Sequence, residues 1–470
     1  MAKKNRTIKK ESSILERPLF LEHCLKYQKW YLSLIFLMVI GIIFVGNMKE
    51  EKPFFHGGES YAHLATAEKM GFDNVEIYPL YLITKIMPSV YFNLIPLVLT
   101  MISLLLLRYI LQKRGFSLEF IFFFLLLLVL SPFFIKQATT ISSATIFFFL
   151  FTLMFTLLMQ SKRYLRYGVI FCTAVIPLID QFSGLIVLFA LLLYCFSLEK
   201  SERRPLWFGL GILLAVMVGS MIWLNTPFMQ GPFHEQQLAR DLISDLGGDS
   251  GISFFVLILG ALGFILLWRE KRIVLAPAYL SLPLLIPSYI YNTEAIFSLG
   301  MILIFFATEA LIFFLNYKWQ LPTLRQFTFF LLLLGIFFSS LAFISRLSDV
   351  GPTAQDREVL RWANENLPSE KIIASFPEDA DYVSYFTKKP VFFTFHDQNK
   401  LREIDSAAIF NAVYVHQLFP ILENNGIAYI YISENAKKKM SSEQGLLFLL
   451  KNERFKLAYS AGEAEIWEFE

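Results

Sequence analysis

From Trp30 to Ser345 the apolar residues fall in long runs separated by short polar breaks, whereas beyond residue 345 they recur in short stretches among charges. A bilayer's hydrocarbon core takes about 20 apolar residues as a helix. The first run, Trp30 to Gly46, is long for a signal-peptide core and has no small-residue cleavage site after it, so it reads as an uncleaved anchor. Further runs over roughly 91–111, 118–135, 141–159, 167–179, 183–198, 206–224, 252–268, 273–291, 295–315 and 326–345 predict about eleven transmembrane helices. Tyr78-Pro79-Leu80-Tyr81 through Met87-Pro88 is too short to span and is bracketed by prolines, which suits an interfacial or re-entrant segment.

Residues 346–470 change period. Thr353 to Leu367 predicts an amphipathic helix with Val359, Leu360 and Trp362-Ala363 on one side, stopped by Pro368. Lys371–Phe376, Val391–Phe395, Ile427–Ser433, Phe455–Tyr459 and Glu465–Glu470 predict strands, with a hairpin turn at Ala461-Gly462. The chain therefore divides into a cytoplasmic segment 1–29, a transmembrane region 30–345 with a first outer loop 47–77, and an α/β domain 346–470.

Charge fixes the orientation. Lys113-Arg114, Lys162-Arg163 with Arg166, Lys200 with Arg203-Arg204, Arg269 with Lys271-Arg272, and Lys318 with Arg325 occupy every second loop. Basic residues mark cytoplasmic loops, so the amino terminus is expected inside and the carboxyl-terminal domain extracytoplasmic. That regularity holds only if 167–179 and 183–198, which hinge at Asp180-Gln181, are two spans. Composition agrees: 56% of the 470 residues are hydrophobic and 17% charged, against about 25% charged in ordinary soluble proteins. The net charge of +3 comes from these loops and points to no nucleic-acid partner. No Walker loop, dinucleotide fingerprint, Gly-x-Ser-x-Gly elbow or Cys-x-x-Cys occurs, which argues against soluble-nucleotide chemistry.

The first outer loop carries His56-Gly57-Gly58-Glu59-Ser60-Tyr61-Ala62-His63-Leu64. Glu59 and His63, four apart, share a helical face. A carboxylate at the mouth of a polytopic protein suits a general base or a metal ligand; the plain alternative is a solvated helix start, Ser60 capping and Glu59 answering the dipole. The spacing does not match the zinc helix motif. Lys85 and Lys136 either snorkel or hold an anionic head group. Asp180 at its hinge reads both ways. In the 225–251 loop, Leu238, Leu242, Ile243 and Leu246 give one apolar face, and Arg240 is placed to reach a phosphate; the alternative is an amphipathic connector.

Gly58-Glu59-Ser60-Tyr61-Ala62-His63-Leu64 and Tyr78-Pro79-Leu80-Tyr81, with Ser131-Pro132-Phe133 through Thr140 and Leu242 to Gly247, resemble the GT-C superfamily of polytopic glycosyltransferases. That superfamily includes the oligosaccharyltransferase catalytic subunit, protein O-mannosyltransferases and aminoarabinose transferases. The resemblance implies inverting transfer of a sugar from a polyprenyl-phosphate-linked donor, at the outer membrane face, to a lipid, glycan or protein acceptor. It implies Glu59 as the catalytic carboxylate, with a divalent cation (Mg or Mn) as a possible cofactor. His56, Tyr61, His63, Tyr78, Lys85, Lys136, Asp180 and Arg240 are the candidate substrate-binding residues. The loop around Lys136 to Thr140 lacks the second acidic motif of the oligosaccharyltransferase branch, and no Trp-Trp-Asp follows in the carboxyl-terminal domain. Two other readings stay open: a flippase for a lipid-linked glycan, and a catalytically silent relative acting as an assembly subunit.

Overall fold

The computed structural model describes residues 26–49, 60–61, 64–65, 94–160, 165–197, 200–223, 242–248, 251–270, 276–291, 295–317, 319–347, 351–394, 400–440 and 445–470. His56, Glu59, His63, Tyr78, Lys85 and Arg240 lie outside these residues.

The apolar runs are helices: α1 (Gln28–Lys49), α2 (Leu94–Lys113), α3 (Leu118–Val129), α4 (Pro132–Thr139), α5 (Ser143–Leu158), α6 (Leu165–Ile179), α7 (Gln181–Ser197), α8 (Lys200–Trp223), α9 (Phe254–Glu270), α10 (Ala276–Tyr291), α11 (Ala295–Asn316) and α12 (Pro322–Leu347). Among the described residues, α2, α11 and α12 are each long and apolar enough to cross a membrane. The run expected as one span over 118–135 is instead two helices bent by 66°. The cause is Pro132, which has no N–H to continue the ladder and stands at the first position of α4. The carbonyls left over are answered by side chains: Ser131 donates to Leu128 (2.7 Å) and Ser340 of α12 donates to Leu130. Asp180 breaks the next pair, so 165–179 and 181–197 are separate helices, as expected.

Helix α3 is buried on every side from Phe120 to Val129, as a helix apolar all round must be. It packs against α1, α2 and α11. Helices α9 and α11 approach so closely at Gly263 that a Cβ there would fall 1.8 Å from the Phe306 carbonyl oxygen. A second apolar cluster joins α5, α6, α7 and α8.

The carboxyl-terminal part is a layered α/β unit. Its elements are α13 (Ala354–Asn366), β1 (Ile372–Ala374), α14 (Ala380–Thr387), α15 (Lys400–Asn411), α16 (Val415–Asn424), β2 (Ile427–Ile432), α17 (Glu434–Lys439), α18 (Leu446–Leu449), β3 (Phe455–Ala461) and β4 (Ala464–Phe469). The sheet order is β1-β2-β4-β3, with β1 parallel to β2 and the other pairs antiparallel. Strand β2, Ile-Ala-Tyr-Ile-Tyr-Ile, is apolar throughout because both faces are covered. Ile430 and Ile432 face a core with Ile409, Leu418 and Leu422, while Tyr429 and Tyr431 face Val359, Leu360 and Val383. Of the expected strand Val391–Phe395, only a single bridge from Val391 to Ile373 forms among the described residues. The Ala461-Gly462 turn forms as expected, with Gly462 at φ +59°.

Candidate functional site

The described residues between α1 and α2 are not a solvated helix start. Ser60, Tyr61, Leu64 and Ala65 are helical and buried, with Ser60 0% and Tyr61 1% exposed. Two surfaces enclose them. On one side stands the corner between α4 and α5. The Ile141 amide donates to Ser60 Oγ at 3.0 Å, and Leu64 packs on Ile141 and Ile95. The corner itself is tied by side chains, because its backbone is in neither helix. Gln137 Nε2 donates to Ser142 Oγ (3.3 Å) and Thr145 Oγ1 (3.1 Å), and Thr145 Oγ1 lies 3.0 Å from the Gln137 carbonyl oxygen it donates to. Ser142 caps α5 by accepting from the Thr145 amide. Lys136 is half-buried in the last turn of α4, where a cation complements the helix dipole.

On the other side stands α14. Tyr61 fits among Tyr382, Tyr385 and Phe386, with ring centroids at 6.1, 5.6 and 5.6 Å, and so completes the core that covers one face of the sheet. Burial, with Tyr385 adding, pushes its phenol far above the ordinary value. Tyr61, a candidate substrate-binding residue, packs residues 60–61 against the carboxyl-terminal unit. Its neighbour Ser60 ties the same residues to the helices.

Asp379 begins α14 and is fully buried. It accepts from Ser433 Oγ at 2.5 Å, and burial raises its carboxyl to about 7, with Asp356 and Glu378 adding and the Ser433 and Tyr382 hydrogen bonds opposing. Asp356 closes the capping box of α13 with Thr353 and accepts from Tyr431 Oη at 2.7 Å.

Asp180 stands apart from this seam. It accepts from the Phe182 amide (3.2 Å) and the Ser183 amide (2.6 Å), a cap on the first turn of α7. A separate cavity of about 780 Å³ opens where α9 and α12 meet the short 3₁₀ turn Ser244–Leu246. Asp245 there accepts from the Phe254 amide (2.6 Å), from Ser253 Oγ (3.5 Å) and from Ser339 of α12. Sequence reasoning passed over this cavity and Arg346 beside it. The signal was present: Arg346 is a cation that ends a long apolar run. Among the described residues no group of three or more His, Cys, Asp or Glu could hold a metal ion, and the candidate ligands His56, Glu59 and His63 lie outside them.

In its helices and carboxyl-terminal sheet the chain is similar in fold to solved GT-C glycosyltransferases. The oligosaccharyltransferase of Archaeoglobus fulgidus, tethered with an acceptor peptide containing the NVT sequon, superposes with a TM-score of 0.55 at 9% identity, over 87% of this chain and 70% of that one. The same protein in complex with zinc and sulfate gives 0.57 at 10% identity, over 85% and 67%. ArnT from Cupriavidus metallidurans bound to undecaprenyl phosphate gives 0.50 at 12% identity, over 93% and 97%, and its apo state gives 0.54. No protein-family model and no curated protein sequence matches the chain.

Proposed function

We propose that the chain is an inverting membrane glycosyltransferase that moves a sugar from a polyprenyl-phosphate-linked donor to an acceptor at the outer membrane face. The observation that carries this reading is the seam at Ser60 and Tyr61. Ser60 and Tyr61 are held between the α4–α5 corner and the carboxyl-terminal unit, inside a fold shared with lipid-linked glycosyltransferases, and Glu59 directly precedes them in sequence. An acceptor presented by the carboxyl-terminal unit and a donor held by the helices would meet beside these residues.

In this scheme Glu59 takes the proton from the attacking acceptor group. The sugar–oxygen bond to the donor phosphate breaks as the acceptor bond forms on the opposite face, and the phosphate leaves as an anion. Positive charge near that anion lowers the barrier; Lys136 at the end of α4, together with Lys85 and Arg240, supplies it. His56, His63 and Tyr78 complete the substrate contacts. About eleven spans, a cytoplasmic segment 1–29, a cytoplasmic-membrane location and an extracytoplasmic domain 346–470 belong to the same proposal. A transfer assay in membranes with labelled polyprenyl-phosphate sugars tests it. Glu59→Gln should lower the rate about 10²–10⁴-fold, the usual cost of losing a general base, while inserting normally. Wild-type transfer by that variant overturns the assignment.

A further inference from the structure

Helix α4 ends at Thr139 and α5 begins at Ser143, so the Ile141 amide lies in the break, outside both helical ladders. Ile141 is buried, and a buried amide left without an acceptor is costly. The acceptor comes from far away in the chain. Ser60 Oγ, on a residue 81 positions earlier and itself fully buried, takes this hydrogen bond at 3.0 Å.

The donor side of that bond is held in place by its own network. The Thr140 amide donates to the Lys136 carbonyl at 2.9 Å, which closes α4 directly before Ile141. Gln137 Nε2 donates to Ser142 and Thr145, and Thr145 Oγ1 lies 3.0 and 3.2 Å from the Gln137 and Thr140 carbonyl oxygens. Around the bond itself, Leu64 and Ile141 form an apolar cluster with Ile95, Ile146 and Tyr385. A polar contact in such surroundings has no water to replace it.

The two pieces of chain joined here carry opposite parts of the displacement proposed above. Glu59, read as the base on the acceptor, is bonded directly to Ser60. Lys136, read as a counter-charge to the leaving phosphate, stands in the last turn of α4, five residues before Ile141. An inverting displacement uses these groups on opposite sides of the reacting carbon, so their separation has to be held. A misplacement of about 1 Å can cost about 10²-fold in rate, and supporting hydrogen bonds are what hold such groups to about half an ångström. We propose that Ser60 is a positioning residue for Glu59, its hydroxyl registering the base against the α4–α5 corner and Lys136 through the Ile141 amide. The inference rests on the reading of Glu59 as the base.

The test is a double-mutant cycle in the membrane assay with labelled polyprenyl-phosphate sugars, with rates taken per inserted protein. Ser60→Ala should lower kcat by up to about 10²-fold, the scale of a misplaced group, and leave the donor KM unchanged. In the Glu59→Gln background the same change should cost nothing further, because groups that act as a unit are not additive. A purely structural serine gives the other pattern, in which the two losses multiply. Multiplying losses therefore overturn the positioning role, as does an unchanged kcat in Ser60→Ala or a loss confined to KM. Each of these leaves Glu59 as the base. Wild-type transfer by Glu59→Gln, by contrast, removes the base and overturns both readings. Should Ser60→Ala fail to fold, Ser60→Cys takes its place in the cycle, since a thiol has a similar shape and accepts only weakly. A wild-type kcat in that variant overturns the role.

Discussion

Where residues 60–65 meet the α4–α5 corner and α14, the space is filled: a phenol ring occupies it, a serine ties the backbone, and aromatic side chains surround both. Where the 3₁₀ turn Ser244–Leu246 meets α9 and α12, space is left open, the carboxylate is spent on a helix start, and the Arg346 Nη atoms have no hydrogen-bond partner among the described residues. Both junctions hang on the bent segment α3–α4. Apolar filling with satisfied polar groups fixes parts of a molecule relative to one another.

The comparison is broken most directly at Tyr61. Replacing a fully buried aromatic ring by alanine typically costs about 3–5 kcal/mol. Tyr61→Ala in the full chain should loosen the carboxyl-terminal unit, seen as faster hydrogen exchange in α13 and α14 peptides. Tyr61→Phe keeps the ring and should restore protection. If exchange in α14 is unaltered by Tyr61→Ala, the filled seam is not what holds the unit.

Asp379 sharpens the comparison through pH. Its ordinary value is 3.8 and its buried value about 7, so between these the folded protein binds the extra proton. The stabilisation is complete below about 3.8 and is lost as pH rises through about 7, because ionising the carboxyl in the core is opposed by burial. Melting of the full chain between pH 4 and 8 should therefore fall on the alkaline side, with exchange rising in α14. Asp379→Asn should flatten that slope. An identical slope in the variant would assign the effect to another group.

Much of this was legible along the chain. Long apolar runs place the helices because a bilayer-length helix needs nothing else. A short apolar run places β2, alternation places β4, and Ala461-Gly462 places the hairpin that joins β3 to β4. The break at Pro132 was legible too, but the apolar run hid it: hydropathy does not register a missing N–H. Tyr61 illustrates the harder limit. Its contacts with Tyr382 and Phe386 bridge more than three hundred residues, and no local period reports such a pairing. Arg346 was hidden by its apolar neighbours, and its meaning depends on Asp245 being occupied by Phe254, Ser253 and Ser339.

Asp180 gives the smallest expected effect and a control for both junctions. It belongs to neither: it stands between α6 and α7, in the second apolar cluster, and its two oxygens accept from the Phe182 and Ser183 amides. Removing such a cap typically costs about 1 kcal/mol, within a range of 0.5–2, and asparagine largely keeps it. Asp180→Ala should therefore lower the melting temperature slightly, Asp180→Asn less, and neither should alter transfer. The negative charge itself does little in this account, so the Asn variant is the decisive one. A melting curve like wild type with transfer lost in Asp180→Asn would show that the charge meets substrate, and would add a third region to the two compared here.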